Sequence, residues 1–150
     1  MNLFQALSVS ASGMSAQRHR AQLLTENLAN AETTRTPEGG PYRRKDAVFE
    51  TATVGSPFGA VFQSELAESK ADPATGVAVA QVLEDDREPD KRYIPGHPDA
   101  DANGYVAFPR ISPAEDMVDL MGASRSFGAN VAAMNALKDM INRSIDLVRT

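Results

Sequence analysis

Residues 112–150 read SPAEDMVDLMGASRSFGANVAAMNALKDMINRSIDLVRT, and they carry the clearest structural pattern in the sequence. Large apolar residues recur in it at unbroken intervals of seven, at Leu120, Phe127, Met134, Ile141 and Val148. A weaker row lies three residues earlier in each heptad, at Met117, Ser124, Val131, Lys138 and Ile145. Alternating spacings of three and four place side chains on one face of a helix. The pattern therefore predicts a helix that packs through one face.

The start of this helix is also marked in the sequence. Ser112 suits an N-cap, Pro113 the first helical position, and Glu115 can reach back to the cap. A helix from Pro113 to Thr150 would be roughly 55 Å long at about 1.5 Å per residue. That is far longer than the average helix of a globular domain.

The N-terminal segment has a softer repeat of the same kind. Its apolar row is Leu7, Met14, Ala21 and Leu28, with Leu3 and Leu24 beside it. Small residues fill much of the rest, and Gly13 costs about 1 kcal/mol of helix stability relative to Ala. We expect an amphipathic helix that packs against the C-terminal helix and against neighbouring subunits.

The middle of the chain differs in composition from both ends. Residues 37–110 hold eight of the nine prolines and seven of the ten glycines, and their charge is 8 − 13 = −5. Three stretches suit β-strands: 47–54, 76–83 and 104–108. Residues 55–72 lack a strong period and read as a loop. We therefore divide the chain into an N-terminal helix (1–36), an inserted β-rich domain (37–110) and a C-terminal helix (111–150).

Composition argues against several classes of protein. The net charge of −5 does not favour binding to nucleic acid. With no cysteines, the chain has no disulfide framework, thiolate nucleophile or cysteine-based zinc site. No apolar run approaches the roughly 18 to 20 residues of a membrane span. The N-terminus has no basic flank or continuous apolar segment of the kind that a cleaved secretory signal shows.

One group of residues could suggest an active site or a metal site. His97, Asp99 and Asp101 stand within five residues of one another, and such side chains can bind a divalent cation. The alternative is an ordered turn, because Pro95, Gly96 and Pro98 punctuate the backbone around them. We favour the turn, and we expect no metal, no cofactor and no catalytic residues.

Asn27 and Asn30 stand out because Asn is a poor helix former. Two interpretations have equal weight. Their amides either cap the end of the N-terminal helix or satisfy backbone groups of a neighbouring helix or loop.

Three blocks of sequence resemble the axial rod and hook proteins of the bacterial flagellum. The first comprises residues 10–18 and 26–31, and the third comprises 115–121, 124–127 and 129–131. The second, residues 92–101 and 104–106, is similar to one proximal-rod member of that family. Gly122 and Gly128 depart from the pattern, since larger polar residues are more usual there.

The resemblance implies a mainly α, α+β fold in which the terminal helices pair as a coiled coil facing the inside of a tube. The inserted β-containing domain would lie outside. It implies a structural subunit of the proximal rod, the torque-transmitting shaft that crosses the periplasm. Implied partners are copies of the same chain, other rod proteins, a membrane-ring adaptor at the rod base and the type III export apparatus. Export would leave the N-terminus uncleaved.

We expect the C-terminal row to bury against the N-terminal row, and the remaining faces of both helices to contact adjacent subunits. The residues of this packing and assembly interface are Leu7, Met14, Leu28, Asn27, Asn30, Leu120, Phe127, Met134, Ile141 and Val148. A soluble coiled-coil adaptor or export chaperone is the alternative function. It would share the helices but not the block at residues 92–101.

Overall fold

The computed structural model describes residues 3–53 and 75–149, without the side chains of Phe4, Val148 and Arg149. Helix α1 spans Leu3–Ala29, and helix α2 spans Pro113–Arg149. Between them lie strands β1 (Lys45–Thr53), β2 (Thr75–Glu84), β3 (Asp90–Tyr93) and β4 (Tyr105–Phe108). The predicted architecture is confirmed at this level: two terminal helices flank small sheets in a mainly α chain.

Local hydrogen bonds mark the start of α2 and the end of α1. The Asp116 amide donates to the Ser112 carbonyl at 3.0 Å, so Ser112 occupies the N-cap position of α2 and the predicted start at Pro113 is confirmed. Helix α1 ends before residue 36, because the Asn30 amide is shared between the carbonyls of Glu26 and Asn27 at 3.1 Å each. Such sharing is common where a helix terminates.

The strands form two sheets of two strands each, β1 with β2 and β3 with β4. Three of the four were predicted: 47–54 corresponds to β1, 76–83 to β2 and 104–108 to β4. Strand β3 was missed because its residues are charged or exposed, and it shows no apolar alternation. Residue 54 and the candidate loop at 55–72 lie outside the described residues.

Strands β3 and β4 pair antiparallel, with Tyr93 opposite Tyr105 and Asp90 opposite Phe108. The connection between them turns at Gly96 (φ +96°) and Gly104 (φ +82°). A Cβ at Gly104 would stand 2.9 Å from Cε2 of Tyr93, so this turn requires glycine for space as well as for conformation.

The described residues form two compact units. One comprises residues 3–18, 49–53, 75–80 and 124–149, and the other comprises 19–48 and 81–123. Ala16 is a buried apolar residue of the first unit. The second unit has a larger core, formed by Leu24, Tyr42, Val106, Phe108 and Ala123.

Candidate functional site

Asn27 is the centre of a buried polar cluster in the second unit. Its side chain is fully buried, and Nδ2 donates to the Lys45 carbonyl at 2.8 Å. Oδ1 accepts from the Lys45 amide at 2.9 Å and from the Tyr42 hydroxyl at 3.1 Å. One amide side chain of α1 therefore satisfies both backbone groups of the first residue of β1. Asn27 thus follows the interpretation in which its amide satisfies backbone of another element, although that element is the start of a strand rather than a helix or loop.

Asn30 follows the other interpretation. Its Nδ2 donates to the Glu26 carbonyl at 2.9 Å, and its Oδ1 accepts from the Thr33 hydroxyl at 3.1 Å. These bonds close the end of α1 locally.

A buried ion pair joins the segment before β1 to the first turn of α2. The Arg44 Nη1 and Asp116 Oδ1 atoms are 2.5 Å apart, and their side chains are 17% and 1% exposed. Arg44 also contacts Asp46 at 3.1 Å. Burial opposes the charge on Arg44, but hydrogen bonds with Asp46 and Asp116 outweigh burial and raise its pKa. Sequence reasoning missed this pair because its partners are 72 residues apart.

Two more ion pairs flank the cluster. Lys45 Nζ lies 2.6 Å from Glu26 Oε1, and Arg20 Nη2 lies 3.3 Å from Asp119 Oδ2. Arg20 belongs to α1 and Asp119 to α2, so this contact links the two helices within the second unit. Burial and the charge of Glu26 raise the pKa of Tyr42 to about 12.

The first unit has its own close contacts. The Ser12 hydroxyl donates to the Val9 carbonyl at 2.7 Å and accepts from the Val77 amide at 3.1 Å, which ties β2 to α1. A Cβ at Gly13 would stand 3.1 Å from Asn130 Nδ2, so a side chain of α2 fills the space that Gly13 leaves.

The predicted interface residues are mostly half-buried in the single chain. This group comprises Leu7, Met14, Leu28, Leu120, Met134 and Ile141. Phe127 is 39% exposed, and the side chain of Val148 lies outside the described residues. Burial alone leaves their role in assembly a prediction.

Most of the weaker row of α2 is exposed in the single chain, and Val131 is its half-buried member. Met117 and Ile145 are 52% and 53% exposed, and Ser124 and Lys138 are also exposed. The less exposed row is Asp116, Ala123, Asn130 and Leu137. Because most of its members are polar or small, an apolar pattern could not reveal it. On α1, similarly, the buried positions are Ala16, Leu24 and Asn27.

Residues 96–101 form an ordered turn, the interpretation favoured from the sequence over a metal site. The Asp99 amide donates to His97 Nδ1 at 3.1 Å, and Asp99 accepts from the Thr34 hydroxyl at 2.8 Å. Asp101 Oδ1 accepts from the amides of Asn103 and Tyr105 at 2.8 and 2.9 Å. The side chains of this group are therefore engaged in holding the loop.

A cleft of about 810 Å³ lies beside the start of α2. Its three arginines each lie near an aspartate: Arg44 with Asp116, Arg87 with Asp85, and Arg110 with Asp90. Within residues 3–53 and 75–149, no cluster of three His, Asp or Glu side chains is placed to bind a metal ion. No helix in the same ranges is long and apolar enough to span a membrane.

The chain is similar in sequence to known proteins, both in its C-terminal region and over nearly its full length. Residues 102–147 match the family model described as the flagellar basal body rod FlgEFG protein C-terminal region, which covers most of α2. The flagellar basal-body rod protein FlgC of Bacillus subtilis is 40% identical over 98% of this chain and 99% of its own length. The FlgC proteins of Borreliella burgdorferi and Salmonella typhimurium are 35% and 36% identical, each over at least 98% of both chains.

Long terminal helices and a matching C-terminal region define the class as flagellar basal-body rod proteins. The full-length similarity narrows this class, and the chain belongs to the FlgC family. It is a structural protein of the basal-body rod and serves motility. The resemblance of the three sequence blocks is thereby confirmed.

Proposed function

We propose that the chain polymerises through its terminal helices into the torque-transmitting shaft of the proximal rod. The observation that carries this proposal is the apolar surface that α2 leaves exposed. Val118 is 62% exposed, Met121 53% and Leu147 78%. Met117, also 52% exposed, lies beside Val118 and Met121, because spacings of three and four place side chains on one helix face. A contiguous exposed apolar patch is typical of a surface that another subunit covers.

Pairing of α1 with α2 as a coiled coil is part of this proposal. The Arg20–Asp119 ion pair in one unit and the approach of Gly13 to Asn130 in the other support it. Both place residues of the two helices side by side. In the assembled rod, segments 1–36 and 111–150 would form the inner core, with 37–110 as the outer domain.

Rod assembly requires particular partners. We propose that copies of this chain and other rod proteins contact the exposed faces of the helices, and that a membrane-ring adaptor holds the base of the rod. The chain would cross the inner membrane through the type III export apparatus without loss of its N-terminus. A helical tube needs heterologous contacts, which long helices can supply along their length.

A catalytic role is not part of the proposal. The relatives are named as rod proteins, and in the cleft beside α2 the arginine side chains already have carboxylate partners. A soluble adaptor or export chaperone is not favoured, because the similarity to rod proteins covers at least 98% of the chain.

Met121→Asp tests the proposal, because this side chain is exposed and its replacement leaves the core of the monomer intact. We expect normal expression, loss of the chain from isolated basal bodies and loss of swimming. Ser126→Asp is the matched control, since it adds the same charge at an exposed position about 140° around the helix. Normal swimming of the Met121→Asp strain would contradict the proposal.

A further inference from the structure

The outer face of the β3–β4 hairpin carries an exposed aromatic pair. Tyr93 and Tyr105 are 64% and 44% exposed, and their ring centroids are 5.4 Å apart in an edge-to-face arrangement. The opposite face is buried, with Val106 at 0% and Phe108 at 8% exposure. Lys91 lies on the same side as Tyr93 because side chains alternate along a strand. We call Lys91, Tyr93 and Tyr105 the hairpin face.

The ring of Tyr93 is held in place despite its exposure. It lies over Gly104, where a Cβ would approach Cε2 to 2.9 Å, and its edge meets the ring of Tyr105. A large aromatic side chain that is already ordered loses little conformational entropy when a partner covers it. Tyrosines of this kind are frequent among the residues that dominate protein interfaces.

The polar groups of the hairpin face are unused. Among the described residues, the Lys91 ammonium and the hydroxyls of Tyr93 and Tyr105 have no hydrogen bond or ion pair. All three can donate hydrogen bonds, and one is a cation. A partner that fits this face therefore presents carboxylates beside an aliphatic surface.

The same chain carries a segment with that chemistry. Residues 84–88 read EDDRE, with a charge of 1 − 4 = −3. Asp85 and Asp86 are engaged by Arg87 and Arg43, whereas Glu84 and Glu88 have no hydrogen bond or ion pair in the described part of the chain. The two glutamates are exposed, and their side chains carry aliphatic stems.

We propose that the hairpin face of one copy binds the acidic segment 84–88 of the next copy. This contact rests on the proposed rod function. It is a lateral contact between copies that lies outside the terminal helices. Because the two surfaces differ, the contact is heterologous and can repeat from copy to copy. A few side chains bury little area, so the contact is weak alone and acts where the helices already hold copies together.

The absence of cysteine allows a direct test. Glu88→Cys combined with Tyr105→Cys can form a disulfide only between copies. Tyr105 pairs with Tyr93, the step from Asp90 to Tyr93 along β3 already spans roughly 10 Å, and Glu88 lies two residues beyond Asp90. A disulfide requires Cα atoms within about 7 Å. Mild oxidation of isolated basal bodies is expected to give a ladder of linked oligomers. Each single variant, and the control pair Glu88→Cys with Glu38→Cys, is expected to give none.

A charge exchange provides a second measurement that does not depend on cysteine. Lys91→Glu is expected to reduce swimming severalfold, and Glu88→Lys in the same chain is expected to restore it. Two results would overturn the lateral contact alone. One is that basal bodies assemble but the Glu88→Cys and Tyr105→Cys pair stays unlinked, and the other is that the Lys91→Glu strain swims normally. Absence of the unmodified chain from basal bodies would instead overturn the rod function, and this contact with it.

Discussion

Asn27 serves two elements at once, because it is part of α1 and completes the backbone hydrogen bonding of Lys45 at the start of β1. Its complete burial means that removing the side chain leaves these backbone groups away from bulk solvent. A buried backbone group without a partner costs about 1–3 kcal/mol. Single side chains of the polar cluster therefore carry much of the stability of the second unit.

Asn27→Ala is expected to lower the free energy of unfolding by about 2–4 kcal/mol, since it leaves both the Lys45 amide and carbonyl unpaired. Asn30→Ala is the control, because it removes only a local bond at the helix end, and its cost is expected to be about 1 kcal/mol. Urea denaturation of the two purified variants measures the difference. Equal losses would show that the Asn27 amide is not the central contact.

The Arg44–Asp116 pair makes a second prediction at this scale. Arg44→Met alone leaves a buried carboxylate without its cation, with an expected loss of about 3–5 kcal/mol. Asp116 Oδ2 already lacks a hydrogen-bond partner, so the carboxylate has little other support. Adding Asp116→Leu removes the stranded charge and is expected to recover most of the loss. A double-mutant cycle by urea denaturation checks this, and strictly additive losses would contradict it.

Alkaline pH tests the environment of Tyr42. Its pKa is raised to about 12 by burial and by the charge of Glu26, against an ordinary value of 10.0. As pH rises, the Tyr42 hydroxyl therefore loses its proton first in the unfolded chain. The contribution of Tyr42 to the free energy of unfolding is complete below pH 10 and declines as pH rises towards 12. Tyr42→Phe is expected to remove that component from the pH dependence of unfolding. A variant with the same alkaline dependence as the original chain would contradict the assignment.

At the scale of elements, the glycines within the two helices differ in how closely other side chains approach them. Gly122 and Gly128 lie in α2, and a Cβ at either position would meet nothing within 4 Å. Gly13 lies in α1 against Asn130. Glycine in a helix interior is unfavourable relative to alanine unless close packing needs it.

Gly122→Ala is expected to raise the free energy of unfolding by about 0.5–1 kcal/mol. Gly13→Ala is expected to give no such gain, since the new methyl group would lie 3.1 Å from Asn130 Nδ2 and displace it. Urea denaturation followed by helical circular dichroism compares the two. An equal gain at Gly13 would show that α1 and α2 do not approach closely there.

Much of the secondary structure follows from local sequence. Proline at the first helical position and the heptad row of Leu120 and Met134 predict α2, and valine-rich runs predict β2. Strand β3 could not be predicted from the sequence, because it forms by pairing with β4 and has no apolar pattern of its own. Nor could the sequence identify the Arg44–Asp116 pair, which only the folded backbone brings together.

At the scale of the whole molecule, the chain combines buried polar contacts in the second unit with apolar side chains left exposed on α2. That combination suits a subunit whose folding is completed by its neighbours. Membership in the FlgC family gives the neighbours their setting, the basal-body rod. We therefore propose the terminal helices as the assembly surface and the hairpin face as a lateral supplement.

The most direct test is electron cryomicroscopy of intact basal bodies assembled with this chain, at a resolution that traces each helix. The account predicts density for the chain within the rod, with α1 and α2 packed on each other, facing the inside of the tube and contacting adjacent subunits through Val118, Met121 and Leu147. A rod in which the two helices of this chain lie apart, or in which those side chains face solvent, would contradict it.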